Sequence, residues 1–326
     1  MIFQPMMVQW GRSIQVRYAC IGFIIMVGLL TGCQQSPSNP SNLDPDKPTR
    51  TIDHAMGETQ VPLAPHRVVV LDTTPLDATL ALGIYPVGTI RYGAPPSYLG
   101  DIVNDIEVVG EYDRPNLETI LKLKPDLILG AKSISAQLYP RLSSIAPTVF
   151  IEGAGHSWDW QNNFRIYAKA LGEVEQAESL LSKYHQRVKA LQSSLTVSAE
   201  SIEVSVLLLS NYGLIAHTPK SFSGSVLEEI GFGRNPIQSN TNQFFIRLSR
   251  EDLEGADGDI IFLIHNPVWE TVSKSEFVSD PLWSNLNAVE LEAICEVNAD
   301  VWGSGRSILA AHQVLRDVDT CLTDIL

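Results

Sequence analysis

Two distant stretches of this chain share one spacing. Asn116-Leu117-Glu118 is followed by Asp126-Leu127-Ile128-Leu129, and Ser249-Arg250-Glu251 by Asp259-Ile260-Ile261-Phe262. Each time a capping residue stands two places before a glutamate. Eight residues later an aspartate introduces an apolar run. The match predicts two lobes of related topology, each presenting one glutamate at a helix N-terminus, where a carboxylate complements the helix dipole by about 0.3–1 kcal/mol.

The segments around these stretches alternate between strand and helix patterns. In the first half, Arg67–Leu71, Val87–Ile90, Leu127–Gly130 and Thr148–Ile151 read as short buried strands. Thr74-Pro75 reads as a cap and first helical residue, in a helix that stops at Gly83. In the second half, Val204–Leu209, Ile260–Leu263 and Ala293–Val297 read as strands. Ser225 to Glu228 resembles a capping box, and a last helix runs from about Ser307 to Leu322. Such alternation predicts an α/β fold of two parallel-sheet lobes. Between them lie only helical stripes. Trp160, Phe164, Tyr167 and Leu171 form one, and Val174, Ala177, Leu181, Tyr184, Val188, Leu191 and Leu195 form the next. A single long helix over 157–171 therefore joins the lobes, as a stiff spacer that permits only small opening angles.

The N-terminus has a different character. Arg12 and Arg17 precede an apolar run that ends in Leu30-Thr31-Gly32-Cys33. The run is too short for a stable membrane span, and the pattern resembles a bacterial lipoprotein signal. On this reading residues 1–32 are removed and Cys33 carries a lipid anchor. Residues 33–56 form a tether, polar and proline-rich through Arg50. Residues 57–156 are the first lobe and 172–326 the second. The whole chain has 37 acidic and 23 basic side chains, a formal charge of −14, and −16 once the two signal arginines are gone. That excess argues against a nucleic-acid partner, while a few arginines can still make one cleft attractive to an anion. Cys295 and Cys321 are a possible disulfide in an oxidising compartment, two buried free thiols being the alternative.

Further motifs carry a resemblance. Gly57-Glu58-Thr59, Val61-Pro62, Pro65-His66-Arg67-Val68-Val69, Leu80-Ala81-Leu82-Gly83, Pro115-Asn116-Leu117-Glu118, Leu123-Lys124-Pro125-Asp126 and Ile145-Ala146-Pro147 occur in that order. Ser249-x-Glu251-x-Leu253, Trp283-x-x-Leu286 and Trp302 follow. Together they look like the iron-siderophore and cobalamin family of substrate-binding proteins that serve ABC importers. The resemblance implies a helical-backbone periplasmic binding protein, with a ligand in the interlobe cleft. It also implies that Glu118 and Glu251 dock on arginine pockets of a permease dimer.

Ligands of α/β sheets sit beyond the C-terminal ends of strands. Residues placed there are Thr74, Arg91, Tyr92, Lys132, Tyr212, Trp269, Trp302 and Arg306, with Arg114 and Arg247 in loops ahead of the two glutamate turns. The arginines suit the oxygens of an anionic ferric siderophore, and the aromatic rings its hydrocarbon parts. A cobalamin or haem receptor and a ligand-sensing lipoprotein are the alternatives. The seven histidines are dispersed and form no His-x-x-x-His pair, so no direct metal site is expected and iron should arrive chelated. No cofactor is expected. Gly153 to Ser157 lacks the order of a hydrolase elbow, and Gly303-Ser304-Gly305-Arg306 lacks the ending of a phosphate loop, so the chain is read as a monomeric binder rather than an enzyme. If Cys33 bears the anchor, Cys33→Ser should move the chain from the membrane to the soluble fraction, read by fractionation and immunoblot; unchanged membrane retention refutes the assignment.

Overall fold

The structure is a computed structural model. It describes residues 48–91, 93, 95–111, 114–153, 158–210, 213–239, 241–265 and 274–325. These belong to one compact unit. Cys33, Tyr92, Tyr212 and Trp269 lie outside the described residues.

The chain enters through a hairpin of β1 (Thr49–His54) and β2 (Gly57–Pro62). Ile52 and Val61 are fully buried in it. The tether therefore ends before Thr49 rather than at residue 56. Thr51-Ile52-Asp53-His54 alternates as a half-buried strand does, a signal masked by the polar residues before it.

The first sheet has the order β6-β5-β4-β3-β7-β8. Its strands are β3 (Val68–Val70), β4 (Gly88–Arg91), β5 (Glu107–Glu111), β6 (Arg114–Pro115), β7 (Leu127–Ala131) and β8 (Thr148–Ile151). All pair in parallel except the short edge strand β6. The second sheet contains β9 (Glu203–Ser210), β10 (Gly213–His217), β11 (Gly233–Arg234), β12 (Phe245–Leu248), β13 (Ile260–His265) and β14 (Ile294–Asn298). Its order is β12-β10-β9-β13-β14, with β11 on β9. Here β9, β13 and β14 run parallel, but β10 is antiparallel to both β9 and β12. Two residues separate Ser210 from Gly213, a connection that closes a hairpin and is too short for a parallel crossover.

The repeated aspartates do the same work in both sheets. Asp126 accepts the backbone N–H groups of His66 and Arg67 at 2.8 and 2.9 Å, at the entry to β3. Asp259 accepts the N–H of Glu203 at 2.8 Å, at the entry to β9. Each thus locks its own strand beside a parallel neighbour.

Six helices matter for the site: α1 (Thr73–Ala81), α2 (Leu117–Lys122), α3 (Trp160–Leu171), α4 (Val174–Ser194), α5 (Phe222–Ile230) and α6 (Ile308–Ile325). The caps differ from the sequence reading at two places. Asp72, not Thr74, caps α1, and Ser221, not Ser225, caps α5. Both true caps lie one helical turn or less upstream, where a side-chain oxygen reaches a free amide.

Helix α3 spans both lobes. At its start Trp158 N–H donates to Lys220 O at 3.1 Å, and Trp160 packs edge-on to Tyr184 of α4 and Phe222 of α5. Farther along, Tyr167 donates its hydroxyl to Gly130 O of β7 at 2.9 Å. The stripe Trp160, Phe164, Tyr167 and Leu171 is buried as its spacing requires. Gly172 ends the helix at φ +89°, a left-handed turn with Arg50 and Leu63 too close for a side chain. In the next helix the stripe is buried from Ala177 to Leu191, while Val174 is exposed.

Cys295 of β14 and Cys321 of α6 form a disulfide with Cα atoms 5.9 Å apart. Their sequence separation of 26 gives about 3–4 kcal/mol of stabilisation in the chain-entropy account. A Cys295→Ala/Cys321→Ala chain should unfold at lower urea by that amount; an unchanged midpoint would show that the bond contributes nothing.

Candidate functional site

The lobes meet at the N-terminal ends of α1 and α6, which pack on each other and on α3. Val68 to Leu71 is buried throughout, so the chain reaches Asp72 already inside the protein. The Asp72 side chain accepts Thr73 N–H at 2.8 Å and the Thr74 hydroxyl at 3.0 Å. From the second lobe, Arg306 Nη1 stands 3.9 Å from Asp72 Oδ1, with Arg306 only 8 % exposed. One turn further along α1, Asp77 accepts the backbone N–H groups of Leu309 and Ala310 at 3.0 Å each. At the rim, Asp300 accepts Ser97 N–H at 3.3 Å, and Asn298 Nδ2 donates to Ser97 Oγ at 3.4 Å.

A cavity of about 60 Å³ lies beside this floor. Thr73, Thr89 and Arg91 line it from the first lobe, and Asp300 and Ser304 from the second. A ligand site for a drug-sized molecule is roughly 300–1,000 Å³, so a bulky ligand must widen this space as it enters. A larger groove, about 630 Å³, follows β14 and α6 beside Tyr98. Its charged lining residues are Glu292, Glu296, Asp317 and Asp324. An anion is repelled there, so the smaller, arginine-bearing cleft is the better site despite its volume.

Burial dominates the titration of both aspartates. It raises Asp72, opposed by the Arg306 charge and the hydrogen bonds from Thr73 and Thr74. It raises Asp77 to about 7, opposed by the Leu309 and Ala310 N–H groups and by the hydroxyls of Tyr98 and Ser307. Burial likewise pushes the Tyr98 hydroxyl well up, helped by the Asp77 charge.

The sequence-derived residues fall into distinct places. Arg91 lines the cleft, whereas Arg306 is buried against Asp72 at the same junction. Thr74 is fully buried behind it and orients Asp72, so its neighbour Thr73 is the residue that lines the cavity. Trp302 is not a cleft wall. It is 1 % exposed, stacks on Phe262 at 4.7 Å and donates Nε1–H to Asp317 at 2.8 Å. It follows β14, but the chain turns inward there. Lys132 pairs with Glu152 at 2.8 Å across the ends of β7 and β8. Arg114 and Arg247 are exposed on the edge strands β6 and β12. Asp72, Asp77, Tyr98 and Ser304 escaped the sequence reading. Two aspartates inside the apolar stretch Val68–Leu82 were the available signal, because a buried carboxylate demands partners.

Glu118 and Glu251 are both exposed, but on different supports. Asn116 accepts the N–H groups of Glu118 and Thr119 at 3.0 and 3.1 Å and so caps α2. Glu251 lies in a single 3-10 turn, Arg250–Asp252, where the matched spacing predicted a helix. Ser249 and Asp252 close a capping box, and Arg250 grips Asp280 through two bonds of 2.7 and 3.0 Å. The Glu251 carboxyl is held below its usual range by its own backbone N–H and by Ser249. Among the described residues no cluster of three or more His, Cys, Asp or Glu could hold a metal ion.

A fold of two α/β lobes on one helix, with a cleft between them that bears Arg91, defines a solute-binding architecture. The chain belongs to the periplasmic binding protein family, whose sequence profile matches residues 68–300. It is 33 % identical over 316 residues to the probable siderophore-binding lipoprotein YfiY of Bacillus subtilis, covering 91 % of this chain and 95 % of the relative. It is 30 % identical to the Fe(3+)-citrate-binding protein YfmC of the same organism, covering 89 % and 91 %. The crystal structure of Staphylococcus aureus SirA complexed with staphyloferrin B superposes with a TM-score of 0.76 at 29 % identity, covering 84 % of this chain and 99 % of that one.

The native state holds the Asp77 proton more tightly than an unfolded chain, whose carboxyl titrates near 3.8. That stabilisation is complete below about pH 4 and is lost as the pH rises through about 7, on the order of 4 kcal/mol for this group. Asp77→Asn should therefore gain thermal stability relative to wild type between about pH 5 and pH 8. Melting curves that stay parallel across that range would refute a buried, titrating Asp77.

Proposed function

We propose that this chain captures a ferric siderophore in the interlobe cleft and delivers it to an ABC permease. The observation that carries the reading is an interlobe cavity lined by Arg91 from the first lobe and Ser304 from the second, in a chain whose relatives bear siderophore and ferric-citrate names. Guanidinium groups match the oxygens of a carboxylate-bearing chelate, and a cleft fed by two lobes can wrap it. Arginines favour an anionic chelate over cobalamin.

Iron enters as cargo, already chelated, and the protein contributes no inner-sphere ligand. It holds no resident cofactor and performs no chemistry on the chelate. Cys33 anchors the mature chain to a membrane on the extracytoplasmic side, and the protein acts as a monomer. Arg114, Lys132 and Arg247 remain part of the proposed ligand surface at its margins, with Tyr92, Tyr212 and Trp269 as aromatic walls. Glu118 and Glu251 meet two basic pockets on the permease dimer, one from each lobe.

Tryptophan-fluorescence titration of the soluble chain against ferric citrate, hydroxamate and catecholate chelates, cobalamin and haem tests the ligand. Saturable quenching by a ferric chelate at submicromolar concentration is expected; binding confined to cobalamin or haem overturns the ligand class. In cells, Glu118→Ala/Glu251→Ala should abolish uptake while leaving affinity in vitro intact. Uptake at the wild-type rate would remove both glutamates from docking.

A further inference from the structure

Asp77 lies midway along α1 and is fully buried. Its two oxygens take the N–H groups of Leu309 and Ala310, the second and third residues of α6. The first amides of a helix have no partner within it, and a nearby side chain normally supplies the cap. Here the cap comes from the other lobe, 232 residues away in sequence. Asp72, at the start of the same helix, faces Arg306. Both links therefore converge on the turn from Gly303 to Ser307, which brings Ser304 to the cleft and Arg306 against Asp72.

We propose that Asp77 is a positioning residue for ligand recognition: by capping α6 from the opposite lobe it fixes the turn that presents Ser304 to the ligand and holds Arg306 against Asp72. The proposal rests on the cleft being the siderophore site. Hydrophobic contacts among α1, α3 and α6 would hold the helices together without it, but they are non-directional and do not set the axial position of α6. Two hydrogen bonds to successive amides do. A carboxylate that costs the fold stability once ionised, yet ties two lobes at a ligand cleft, is the stability–function trade-off expected of such a group.

The test compares wild type, Asp77→Asn, Ser304→Ala and the double variant, in the soluble chain at about pH 8. Asn keeps the shape but turns an NH₂ group toward one of the two amides. Ferric citrate is the probe. Asp77→Asn should weaken binding by about 10-fold while its melting temperature rises, whereas a purely structural residue moves both in the same direction. The double variant should lose no more affinity than Ser304→Ala alone. Additive losses, or an Asp77→Asn affinity equal to wild type, overturn the proposal. Spin labels at Lys122→Cys and Glu290→Cys, one on each lobe, give a second readout that needs no ligand. The interlobe distance distribution should broaden in Asp77→Asn, and an unchanged distribution overturns the latch. If wild type itself ignores ferric citrate, that ligand assignment fails while the distance measurement still decides the latch. Should Asp77→Asn not fold, Leu309→Pro removes one of the same hydrogen bonds from the opposite lobe, at a first-turn position that tolerates proline, and its distance distribution carries the same two outcomes.

Discussion

The Asp77 carboxylate caps α6 from α1, and the geometry between the lobes follows from that contact. A buried carboxyl is tolerated only when donors surround it. The donors available are amides that α6 cannot satisfy itself. Each group therefore answers the other's requirement, and neither can shift along its axis without stranding its partner. Around this point α1, α3 and α6 form an apolar wedge that reaches into both lobes. Trp160 ties α3 to the second lobe and Tyr167 ties it to the first. A junction packed in this way allows small rocking of the lobes and resists wide hinge opening.

The pseudo-symmetry of the lobes has a physical basis in the paired aspartates. Asp126 and Asp259 each seize the backbone at the entry of a neighbouring parallel strand. Parallel strands need a long crossover, so nothing local fixes their register, and a carboxylate that bridges two strand entries does so directly. Eight residues before each stands an exposed glutamate. In the first lobe an asparagine-capped helix supports it. In the second a 3-10 turn does, braced by the bidentate Arg250–Asp280 pair. Equivalent placement is reached by different local means.

Charge divides the surface of the molecule into useful and unfavourable regions. The chain is strongly acidic, and the large groove beside β14 shares that character. The cleft differs because Arg91 lines it from the first lobe, opposite Asp300 and Ser304 of the second. Field lines concentrate where low-dielectric walls surround a few charges, so local composition governs ligand sign more than net charge does. Asp72 restrains Arg306 at the floor, and the cavity remains small until a ligand widens it.

The sequence by itself determined what depends on local pattern. Apolar runs gave the strands, the stripe from Trp160 to Leu171 gave the spanning helix, and the repeated interval from Glu118 and Glu251 gave two related lobes. It missed both strands of the entry hairpin, the parallel strand β5, the short β6 and β11, and the antiparallel edge β10–β12, where short alternating segments compete with polar neighbours. Only the tertiary structure decided which residues face the cleft. Thr74 and Trp302 occupy the expected places in the chain, yet one props Asp72 and the other fills the core, because side-chain direction depends on how the backbone turns after a strand. Asp72, Asp77 and Arg306 are linked across more than two hundred residues. No periodicity records a contact of that kind: it exists only once two lobes have packed and burial has made every unpaired polar group costly.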